Sequence, residues 1–302
     1  MVHALVTMQR TESKRNRPMT EVNRRSLAGR TLIISGGSRG IGEAIAVRAA
    51  RDGANIALIA KTASPHPKLP GTVYSAAKAI EAEGGNALPI VGDVRDDQAV
   101  EAAVAAAVEQ FGGIDIVVNN ASALDITHTE QIDMKKYDLM QDINARGAFL
   151  LSKVAIPHLR KSSNAHILTL SPPITLENKH FERIGTAYTI SKFAMTLVTI
   201  GLAAELSRDA IAVNSLWPRT TIDTAAVRNI LGKELVARSR SATIMSDAAH
   251  LILTSTFHDG TGRCHIDDEI LSSAGLSDFA AYQNGLNDSE LELDFWMEAA
   301  TR

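Results

Sequence analysis

The chain is poor in cysteine, in aromatic residues and in net charge. Cys264 is the single cysteine among 302 residues, which excludes an intramolecular disulfide, and nothing in the sequence resembles a cluster of metal ligands. Aromatic residues make up 4% and hydrophobic residues 45%, so the predicted core is aliphatic. No apolar run approaches the roughly 18–20 residues that cross a bilayer. These absences favour a protein of a reducing, cytoplasmic compartment without a membrane span.

The net charge of −3 argues against nucleic acid as a partner, yet the charges are unevenly distributed. Residues 1–30 contain seven basic residues and two glutamates, whereas residues 267–302 contain nine carboxylates and one basic residue, Arg302. We predict that residues 1–26 form a basic, flexible tail. A transit peptide, or a true start at Met8 or Met19, is an alternative interpretation of the same segment.

Short apolar runs alternate with helix-length stretches from residue 30 onward. The runs are rich in β-branched residues and mostly apolar on both faces, as strands buried in a parallel sheet are. The alternation predicts βαβ units and a doubly wound α/β fold. The predicted strands are Thr31–Ser35, Asn55–Ala60, Leu88–Val91, Ile114–Asn119, His166–Ser171 and Ile211–Leu216, and the predicted helices include Glu43–Arg51, Asp96–Phe111, Lys135–Lys161 and Thr186–Arg208.

Two segments interrupt this rhythm, and no linker compels a second domain. Lys61–Gly71 holds three prolines and is predicted to be a loop, and Pro172–Gly185 is a second irregular stretch. We therefore assign residues 27–275 to one catalytic domain and residues 276–302 to an acidic C-terminal extension.

The acidic extension permits two interpretations. Its segment DSELELDFWME, residues 288–298, could be a helix that docks Leu291, Phe295 and Trp296 on a neighbouring subunit. Alternatively, the charged residues could keep the whole segment solvated.

A glycine-rich turn follows the first predicted strand directly. The segment SGGSRGIG at residues 35–42 places Gly36, Gly40 and Gly42 before a helix, but it matches neither the strict G-x-G-x-x-G fingerprint nor a P-loop. Glycine permits a tight turn and close approach of the backbone, and a helix N-terminus favours an anion. The turn therefore predicts phosphate binding, with a plain strand-to-helix turn as the alternative.

Further motifs follow this turn in a fixed order. Asn119-Asn120-Ala121-Ser122, the INARG segment around Asn144, Ser171, and Tyr188-Thr-Ile-Ser-Lys192 resemble, together with the turn, the motifs of the short-chain dehydrogenase/reductase family. The resemblance covers about residues 27–270 and implies a single Rossmann-like sheet and an oxidoreductase acting on CH–OH groups with NAD(P) as acceptor.

A narrower resemblance is to the subgroup of hydroxysteroid dehydrogenase-like protein 2 and of citronellol/citronellal dehydrogenases. The segments GANIALIAKTASPHPKLPGT, LTLSPPITL, AVNSLWPRTTI and TGRCHIDDEIL carry it. Mammalian members of that subgroup carry a C-terminal sterol-carrier domain, which we do not expect within these 302 residues.

The family resemblance implies that Asn144, Ser171, Tyr188 and Lys192 are catalytic. A tyrosine hydroxyl with a pKa of about 10 is a poor acid or base at neutral pH until its anion is stabilised. Lys192 lies four residues after Tyr188, on the same helix face, and its ammonium group would lower that pKa. Ser171 would hold the substrate oxygen, and Asn144 would position water near Lys192. In isolation, Tyr188 would be interpreted as an ordinary packing contact and Lys192 as a solvated charge; Ser171 and Asn144 in register favour the catalytic interpretation.

The cofactor prediction combines the resemblance with local charge. The second strand ends at Ala60 and is followed by Lys61 rather than by a carboxylate, and Arg39 adds a cation within the turn. These charges suit a 2′-phosphate, so NADP(H) is predicted in preference to NAD(H). The predicted cofactor-binding residues are Gly36, Ser38, Arg39, Gly40, Ile41, Gly42, Ala60, Lys61, Asp93, Val94, Asn119, Ala121, Tyr188, Lys192, Pro218, Thr220, Thr221 and Ile222.

Three features depart from the family pattern. Ser122 and Arg219 stand where glycine is usual, and the spacer from Ser171 to Tyr188 is several residues longer than usual. Arg219 could be a strained oddity, a surface charge or a cation facing the substrate. The spacer is largely apolar, which suggests an apolar substrate or a loop that simply packs on its neighbour; its apolar residues are Pro172, Pro173, Ile174, Leu176, Phe181 and Ile184.

The sequence therefore predicts an NADP(H)-dependent enzyme that interconverts an alcohol and a carbonyl on a lipid-, terpenoid- or steroid-like substrate. A dinucleotide-binding sensor or scaffold with little turnover is the main alternative, and a lipid-binding module is a third. The resemblance also implies a homodimer or homotetramer formed through the helices predicted at Lys135–Lys161 and Thr186–Arg208.

Overall fold

Seven parallel strands form one sheet in the order β3-β2-β1-β4-β5-β6-β7. The computed structural model describes residues 25–65, 70–230, 232–283 and 285–298. The chain order of the strands reverses next to β1, so that the predicted doubly wound α/β sheet is confirmed. The strands are β1 Thr31–Ser35, β2 Asn55–Ala60, β3 Asn86–Val91, β4 Ile116–Asn119, β5 His166–Thr169, β6 Ala212–Trp217 and β7 Cys264–Ile266.

The six predicted strands are present, and β7 was missed. β7 has three residues, Cys264, His265 and Ile266, and pairs with the end of β6. It has no apolar run to mark it, because only Ile266 is buried. Its place in the sheet depends on pairing with β6 rather than on its own sequence.

Helices cover both faces of the sheet. Neighbouring residues of β1 point to opposite faces: Ile33 packs with α3, α5 and α7, whereas Leu32 and Ile34 pack with α1, α2 and α10. The helices are α1 Gly40–Ala50, α2 Val73–Ala82, α3 Asp97–Phe111, α4 Met134–Met140, α5 Gly147–Leu159, α6 Asn178–Ile184, α7 Thr186–Glu205, α8 Ala225–Ile230, α9 Lys233–Ala237, α10 Thr243–Leu253 and α11 Asp267–Ser273.

The predicted helix Lys135–Lys161 is helical over most of its length but not uniformly α-helical. Between α4 and α5 the segment Gln141–Arg146 forms a π-helix. Such a segment inserts an extra residue into the helical turn and is frequent at functional sites. The predicted site residue Asn144 lies within it.

Helix α7 carries Tyr188 and Lys192 and packs against one face of the sheet. Its mean hydropathy over an 18-residue window is 1.3, so by length and composition it could cross a membrane, which the scan for apolar runs had not indicated. However, 61% of that window is buried inside the protein, as expected for a core helix.

Two predictions of irregular structure need correction. The stretch Pro172–Gly185 contains helix α6, which ends at Gly185 with a φ of +82°. The C-terminal extension is neither a docking helix nor a solvated tail. After a 3₁₀ turn at Asp288–Glu290, it runs extended across the carboxyl ends of the strands, and its aromatic residues are buried in the same chain. Most of the predicted basic tail and the loop residues 66–69 lie outside the described residues.

Candidate active site

The glycine turn is shaped by close contact between two strand ends. Gly36 has a φ of +68°, and a Cβ there would lie 2.8 Å from the Cα of Ala121. A Cβ at Gly42 would lie 2.5 Å from the side-chain nitrogen of Asn120. That nitrogen donates to the carbonyl oxygens of Ser35 and Gly36, both at 3.0 Å. Asn120, which we had not assigned a role, therefore holds the turn against the end of β4.

The turn leads into a helix N-terminus that suits a phosphate. Helix α1 begins at Gly40, and no side-chain hydrogen bond caps it at Arg39 in the described part of the chain. Its first N–H groups are therefore available to an anion, which fits the cofactor that the sequence predicts. Ser38 is buried in the turn, and the side chain of Ile41 packs against the core, so that Ile41 can offer only its backbone N–H.

Two cations lie near the end of β2, where the 2′-position of a dinucleotide is expected. Arg39 donates to Thr62 Oγ1 at 3.0 Å and to the Gly71 carbonyl at 2.9 Å, and its buried Nε has no partner among the described residues. The Lys61 side chain is 57% exposed, with its Nζ 3.3 Å from a carboxylate oxygen of Asp93. Ala60 is buried and contributes no charge. Arg39 and Lys61 therefore offer two positive charges at this position, with Asp93 beside Lys61 and Glu43 beside Arg39.

The carboxylate of Asp93, which is predicted to bind the adenine end of the cofactor, is already paired with two cations. Two nitrogens of Arg95 donate hydrogen bonds to the Asp93 carboxylate, at distances between 2.7 and 3.1 Å, and Lys61 adds a further cation. The hydrogen bonds from Arg95, together with Lys61, hold the pKa of Asp93 far below its usual range. Adenine would have to share an oxygen that is already paired. Val94 is buried against Gly147.

The side chain of Asn119 points away from the cofactor turn, so that its predicted contact with the cofactor would come from its backbone. Asn119 is 1% exposed, and its Nδ2 donates to Ser152 Oγ at 2.9 Å inside the core. It joins β4 to α5 because it points into the sheet layer rather than out of the strand end. Ala121, in contrast, lies at the strand end beside Gly36, where its N–H donates to Ser35 Oγ at 3.1 Å.

Lys192 connects α7 to the end of β5. Its Nζ donates to the Leu170 carbonyl at 2.5 Å and lies 4.9 Å from the centre of the Trp217 ring. Burial lowers the pKa of Lys192, and the carboxyl of Asp294 opposes this shift. The ammonium group of Lys192 therefore bonds to the residue immediately before Ser171.

Asn144 is fixed by three hydrogen bonds from the π-helical segment. Its Oδ1 accepts from the Ala123 N–H at 2.7 Å, and its Nδ2 donates to the Ala123 carbonyl at 3.0 Å and to Ser191 Oγ at 2.9 Å. Asn144 thus joins the loop after β4 to α7 at the residue that precedes Lys192. We had not predicted the role of Ser191 as its partner.

Ser171 and Tyr188 complete the buried group. Ser171 is fully buried, and its Oγ has no hydrogen-bond partner in the part of the chain that the structure describes. Burial raises the pKa of Tyr188, the nearby Asp294 carboxyl raises it further, and the Ser122 side chain lowers it. Ser122 thereby has a place at the site, beside the tyrosine.

The segment after β6 contacts the C-terminal extension. Thr221 Oγ1 is paired with Ser239 Oγ at 2.8 Å, and Ile222 points into the core, so that these two residues would contact the cofactor through their backbone. Thr220 Oγ1 is buried without a partner among the described residues, and Pro218 is buried. Of these four residues, Thr220 offers the side-chain polar atom best suited to bind a carboxamide.

Arg219 is neither strained nor facing a substrate. Its Nε donates to both oxygens of Asp268 at 2.7 and 2.9 Å, and its Nη2 bonds to Glu269. Its Nη1 donates to the Glu298 carbonyl at 3.0 Å. The residue that departs from the family pattern thus holds the C-terminal extension against α11.

The residues that sequence reasoning missed at this site are Asp294, Phe295 and Trp296. The ring centroid of Trp296 lies 5.7 Å from that of Tyr188, and the ring centroid of Phe295 lies 6.2 Å from Tyr188. Asp294 is half-buried, and its loss of solvent raises its pKa to about 7. The aromatic character of Phe295 and Trp296 was visible in the sequence, but the residues that they contact were not.

One group of possible metal ligands lies at the edge of the site. Glu177, His180 and Glu298 place one ligand atom each within 4.8 Å of one another. Such a group had not been expected from the sequence. Lys179 forms ion pairs with both glutamates and therefore already compensates their charge.

Comparisons with known proteins agree with this geometry. The family model of the short chain dehydrogenases matches residues 30–234. Hydroxysteroid dehydrogenase-like protein 2 of Danio rerio is 54% identical over 260 residues, which are 86% of this chain and 62% of that protein. The Homo sapiens protein of the same name is 50% identical over 256 residues, 85% of this chain and 60% of that protein. The chain thus spans about three fifths of the length of these curated relatives.

A solved structure extends the similarity to the coordinates. The crystal structure of a short chain dehydrogenase from Mycobacterium thermoresistibile matches with a TM-score of 0.85 and 53% identity. The match covers 90% of this chain and 96% of the other. The similarity therefore includes parts of the fold outside the segment matched by the family model.

Proposed function

Because the chain belongs to the short-chain dehydrogenase family, in the hydroxysteroid dehydrogenase-like subgroup, we propose that it is an NADP(H)-dependent oxidoreductase. It interconverts an alcohol and a carbonyl on an apolar, lipid-, terpenoid- or steroid-like substrate. Tyr188, Lys192 and Ser171 carry the acid–base chemistry, and Asn144 supports them.

One observation carries this proposal: four side chains, two from α7, one from the π-helical segment and one from the chain after β5, converge at the carboxyl end of β5. Lys192 bonds to the residue before Ser171, Asn144 bonds to the residue before Lys192, and Tyr188 lies one helical turn before Lys192. Ser171 Oγ has no protein partner in the described residues and is free to bind a substrate oxygen. A binding protein would need only the cofactor turn, so this convergence favours an enzyme over a sensor or scaffold.

In the direction of reduction, the chain's residues act on the carbonyl oxygen. Bound NADPH would supply the hydride for the carbonyl carbon. Ser171 donates a hydrogen bond to the oxygen and orients it, and Tyr188 transfers its hydroxyl proton to it. The ammonium group of Lys192 stabilises the resulting tyrosinate, and Asn144 keeps α7 aligned with the loop after β4. In the reverse direction the tyrosinate accepts the proton of the alcohol.

Local charge supports the preference for NADP(H). Lys61 and Arg39 lie where a 2′-phosphate is expected, and Ala60 replaces the carboxylate that a free 2′-hydroxyl would use. Lys61 is also largely exposed, so that it can turn toward a phosphate while Arg95 keeps Asp93 paired.

The assembly and the compartment are also proposals. The two helical stretches that contribute to the site expose apolar side chains, among them Phe149 at 48% and Leu197 at 59%. Such exposed positions suit the helix-to-helix contacts of a homodimer or homotetramer. Mass measurement in solution tests this directly. The single cysteine is consistent with a reducing, cytoplasmic compartment.

The decisive experiment is turnover of apolar aldehydes, ketones and alcohols with NADPH and NADH, for the unaltered protein and for Tyr188→Phe. We expect a preference for NADPH and a loss in kcat of about 10²–10⁴-fold in the variant, the contribution typical of a positioned proton donor. Tyr74→Phe is the matched control, because Tyr74 is 49% exposed on α2. Tight NADPH binding without turnover across the whole panel would favour the sensor or scaffold instead.

A further inference from the structure

The last described residues lie across the proposed active site. We call residues 288–298 the C-terminal strap. Leu293 forms an antiparallel bridge with Thr220, and the N–H of Thr221 donates to the Glu292 carbonyl at 2.9 Å. The N–H of Asp294 donates to the Arg219 carbonyl at 2.9 Å. The strap is therefore paired along its backbone with the segment after β6.

The aromatic residues of the strap fill the space above Tyr188. The ring centroid of Trp296 lies 5.7 Å from Tyr188, 5.5 Å from Phe193 and 5.6 Å from Trp217. Trp296 is 3% exposed, which is unusual burial for a residue so near the chain end. Its indole lies in an aromatic and apolar enclosure of the kind that binds small apolar ligands.

The backbone and the polar atom of Trp296 are less well accommodated than its ring. Trp296 has a φ of +63°, a conformation that residues with a side chain rarely adopt. Its Nε1 is buried without a hydrogen-bond partner in the described ranges. Such strain at a functional site persists only where the surroundings hold it, and it favours release when those contacts are replaced.

With the strap in this position a substrate cannot reach the chemistry. Ser171, Asn144 and Lys192 are at most 2% exposed, and Tyr188 is 5% exposed. A carbonyl oxygen needs to approach Tyr188 and Ser171 within hydrogen-bond distance. The indole of Trp296 therefore has to leave before a substrate carbonyl can react.

Ion pairs form the outer attachments of the strap. Glu292 lies 3.0 Å from Arg183 and 3.1 Å from Arg238, and Asp288 lies 3.0 Å from Arg240. Arg183 and Arg238 are about half exposed, so that the pairs of Glu292 contribute little and are screened by salt, whereas Arg240 is 4% exposed. Closer to the site the strap is held by its backbone bonds to residues 219–221, by the hydrogen bond from Trp217 Nε1 to the Phe295 carbonyl at 3.0 Å, and by the aromatic contacts of Trp296, which a ligand of similar shape would replace.

We propose that Trp296 is an internal competitor of the substrate: its indole occupies the substrate site, and a fused-ring, apolar carbonyl compound displaces it. This inference rests on the proposed function, since it assigns the substrate class and a specificity-determining residue to that same site. The pocket selects by apolar area and by the approximate two-ring size of the group that it already holds. Ligands that cannot replace the contacts of Trp296 leave the strap closed.

The first test measures binding without turnover. The probe is trans-1-decalone, an apolar fused-ring ketone, added to full-length protein saturated with NADP⁺, so that no hydride donor is present. In Trp296→Ala the affinity is expected to rise about tenfold, because the bound form no longer has to displace an internal occupant. Phe257→Ala is the control: Phe257 is an aromatic residue between α10 and β7 whose described ring contact is with His258 rather than with the strap. Its affinity for the probe should remain unchanged.

A second measurement uses the unaltered protein and so does not depend on the folding of a variant. Trp217 and Trp296 are the two tryptophans of the chain, 8% and 3% exposed. Saturation with trans-1-decalone should raise the quenching of tryptophan fluorescence by acrylamide at least about twofold, as expected if the site is held by a displaceable segment. Glycerol at the same concentration should leave the quenching unchanged.

The outcomes separate this inference from the proposed function. Equal or weaker binding of decalone by Trp296→Ala, or unchanged quenching in the unaltered protein, would overturn the competitor role and favour a strap that closes over bound substrate. Turnover of other carbonyl compounds would then leave the proposed function standing. Conversely, Trp296→Ala could bind decalone more tightly while no carbonyl compound is turned over. That result would support the displaceable strap and reject the proposed oxidoreductase function. Failure of decalone to bind to either protein rejects the assigned substrate class.

Discussion

The two ends of the proposed site are built differently. At the cofactor end, the turn at residues 35–42 is shaped by backbone conformation, and its neighbouring Lys61 side chain is 57% exposed. At the catalytic end, Ser171 and Asn144 are fully buried, and the cover is made of side chains from the strap. The cofactor end is therefore preformed and accessible, whereas the catalytic end is formed but covered.

This difference indicates an order of binding. A dinucleotide phosphate can reach the N-terminus of α1 without movement of the strap, because the turn lies next to β1 rather than under the strap. A substrate, in contrast, can reach Tyr188 only after Trp296 has moved. We therefore expect cofactor binding to respond to backbone changes in the turn and substrate binding to respond to the attachments of the strap.

The largest expected effect comes from breaking the backbone of the turn. Gly36→Ala places a Cβ 2.8 Å from the Cα of Ala121, at a φ of +68°. NADPH affinity should fall at least about 100-fold, or about 2.7 kcal/mol, because the turn must shift to avoid the contact. Titration of NADPH fluorescence measures this. Gly29→Ala is the control, since Gly29 has a φ of +69° but no atom within 4 Å of the added Cβ. If NADPH affinity fell equally in both variants, the loss would come from a side chain at positive φ and not from the close contact between residue 36 and Ala121.

The next largest effect concerns the attachment of the strap through Arg219. Its Nε lies 2.7 Å from Asp268, and the two side chains are 10% and 12% exposed. Arg219→Ala leaves this carboxylate with the more distant Arg240 and releases the Glu298 carbonyl, so the free energy of unfolding should fall by about 2 kcal/mol. Urea denaturation measures the loss, and acrylamide quenching should rise in the same variant. Arg208→Ala, at an exposed position after α7, should change neither quantity, and quenching that stays constant in Arg219→Ala would contradict its role in holding the strap.

A smaller effect should separate the two cofactors. Lys61→Ala removes an exposed cation but leaves Arg95 on Asp93, so the local fold should be retained. NADPH affinity should fall about tenfold, the scale of one charge-assisted contact, while NADH affinity remains within about twofold. Lys153→Ala, an exposed lysine on α5, is the control. If the affinity for NADPH and for NADH fell equally, Lys61 would not be a residue that recognises the 2′-phosphate.

The smallest effect is a change in pH dependence at the catalytic end. In the closed strap, burial raises the pKa of Asp294 and lowers that of Lys192, each to about 7. Arg183 and Asp267 also face Asp294. Closure therefore releases a proton from Lys192 between about pH 10 and 7 and adds a proton to Asp294 between about pH 7 and 4, so that the two changes act in different pH ranges.

Asp294→Asn removes the second of these changes. In both proteins the open form gains as the pH falls from about 9 to about 7, because Lys192, whose ordinary pKa is 10.5, binds a proton more readily when the strap is open. Below about pH 7 the unaltered protein should close again, because Asp294, whose ordinary pKa is 3.8, takes up a proton in the closed form, whereas Asp294→Asn should stay open. Acrylamide quenching of the tryptophans should therefore fall a few-fold between about pH 7 and 5 in the unaltered protein and stay nearly constant over that range in Asp294→Asn. A fall of the same size in both proteins would exclude the carboxyl as the group responsible.

Much of the fold could be predicted from the sequence because its signals are local. The apolar runs of β1 and β2 were located to the residue, since buried parallel strands have no alternation to blur their ends. The strand β7 could not be predicted, because three residues acquire their place from pairing with β6. The relative position of Tyr188 and Lys192 was predictable, because both lie on α7 and their spacing puts them on one face. The contacts of Asn119 were not predictable, because they depend on the direction of its side chain, which points into the core.

The sequence by itself determined the layered α/β order, the glycine turn and the identity of the residues that can transfer a proton. These follow from periodicity, from the conformational freedom of glycine and from spacing along one helix. Only the tertiary structure decided that Arg219 holds the strap and that Trp296 lies on Tyr188. The reason is distance along the chain: the partners of these contacts are 79 and 108 residues apart, and no local pattern records which distant surface an aromatic residue will cover.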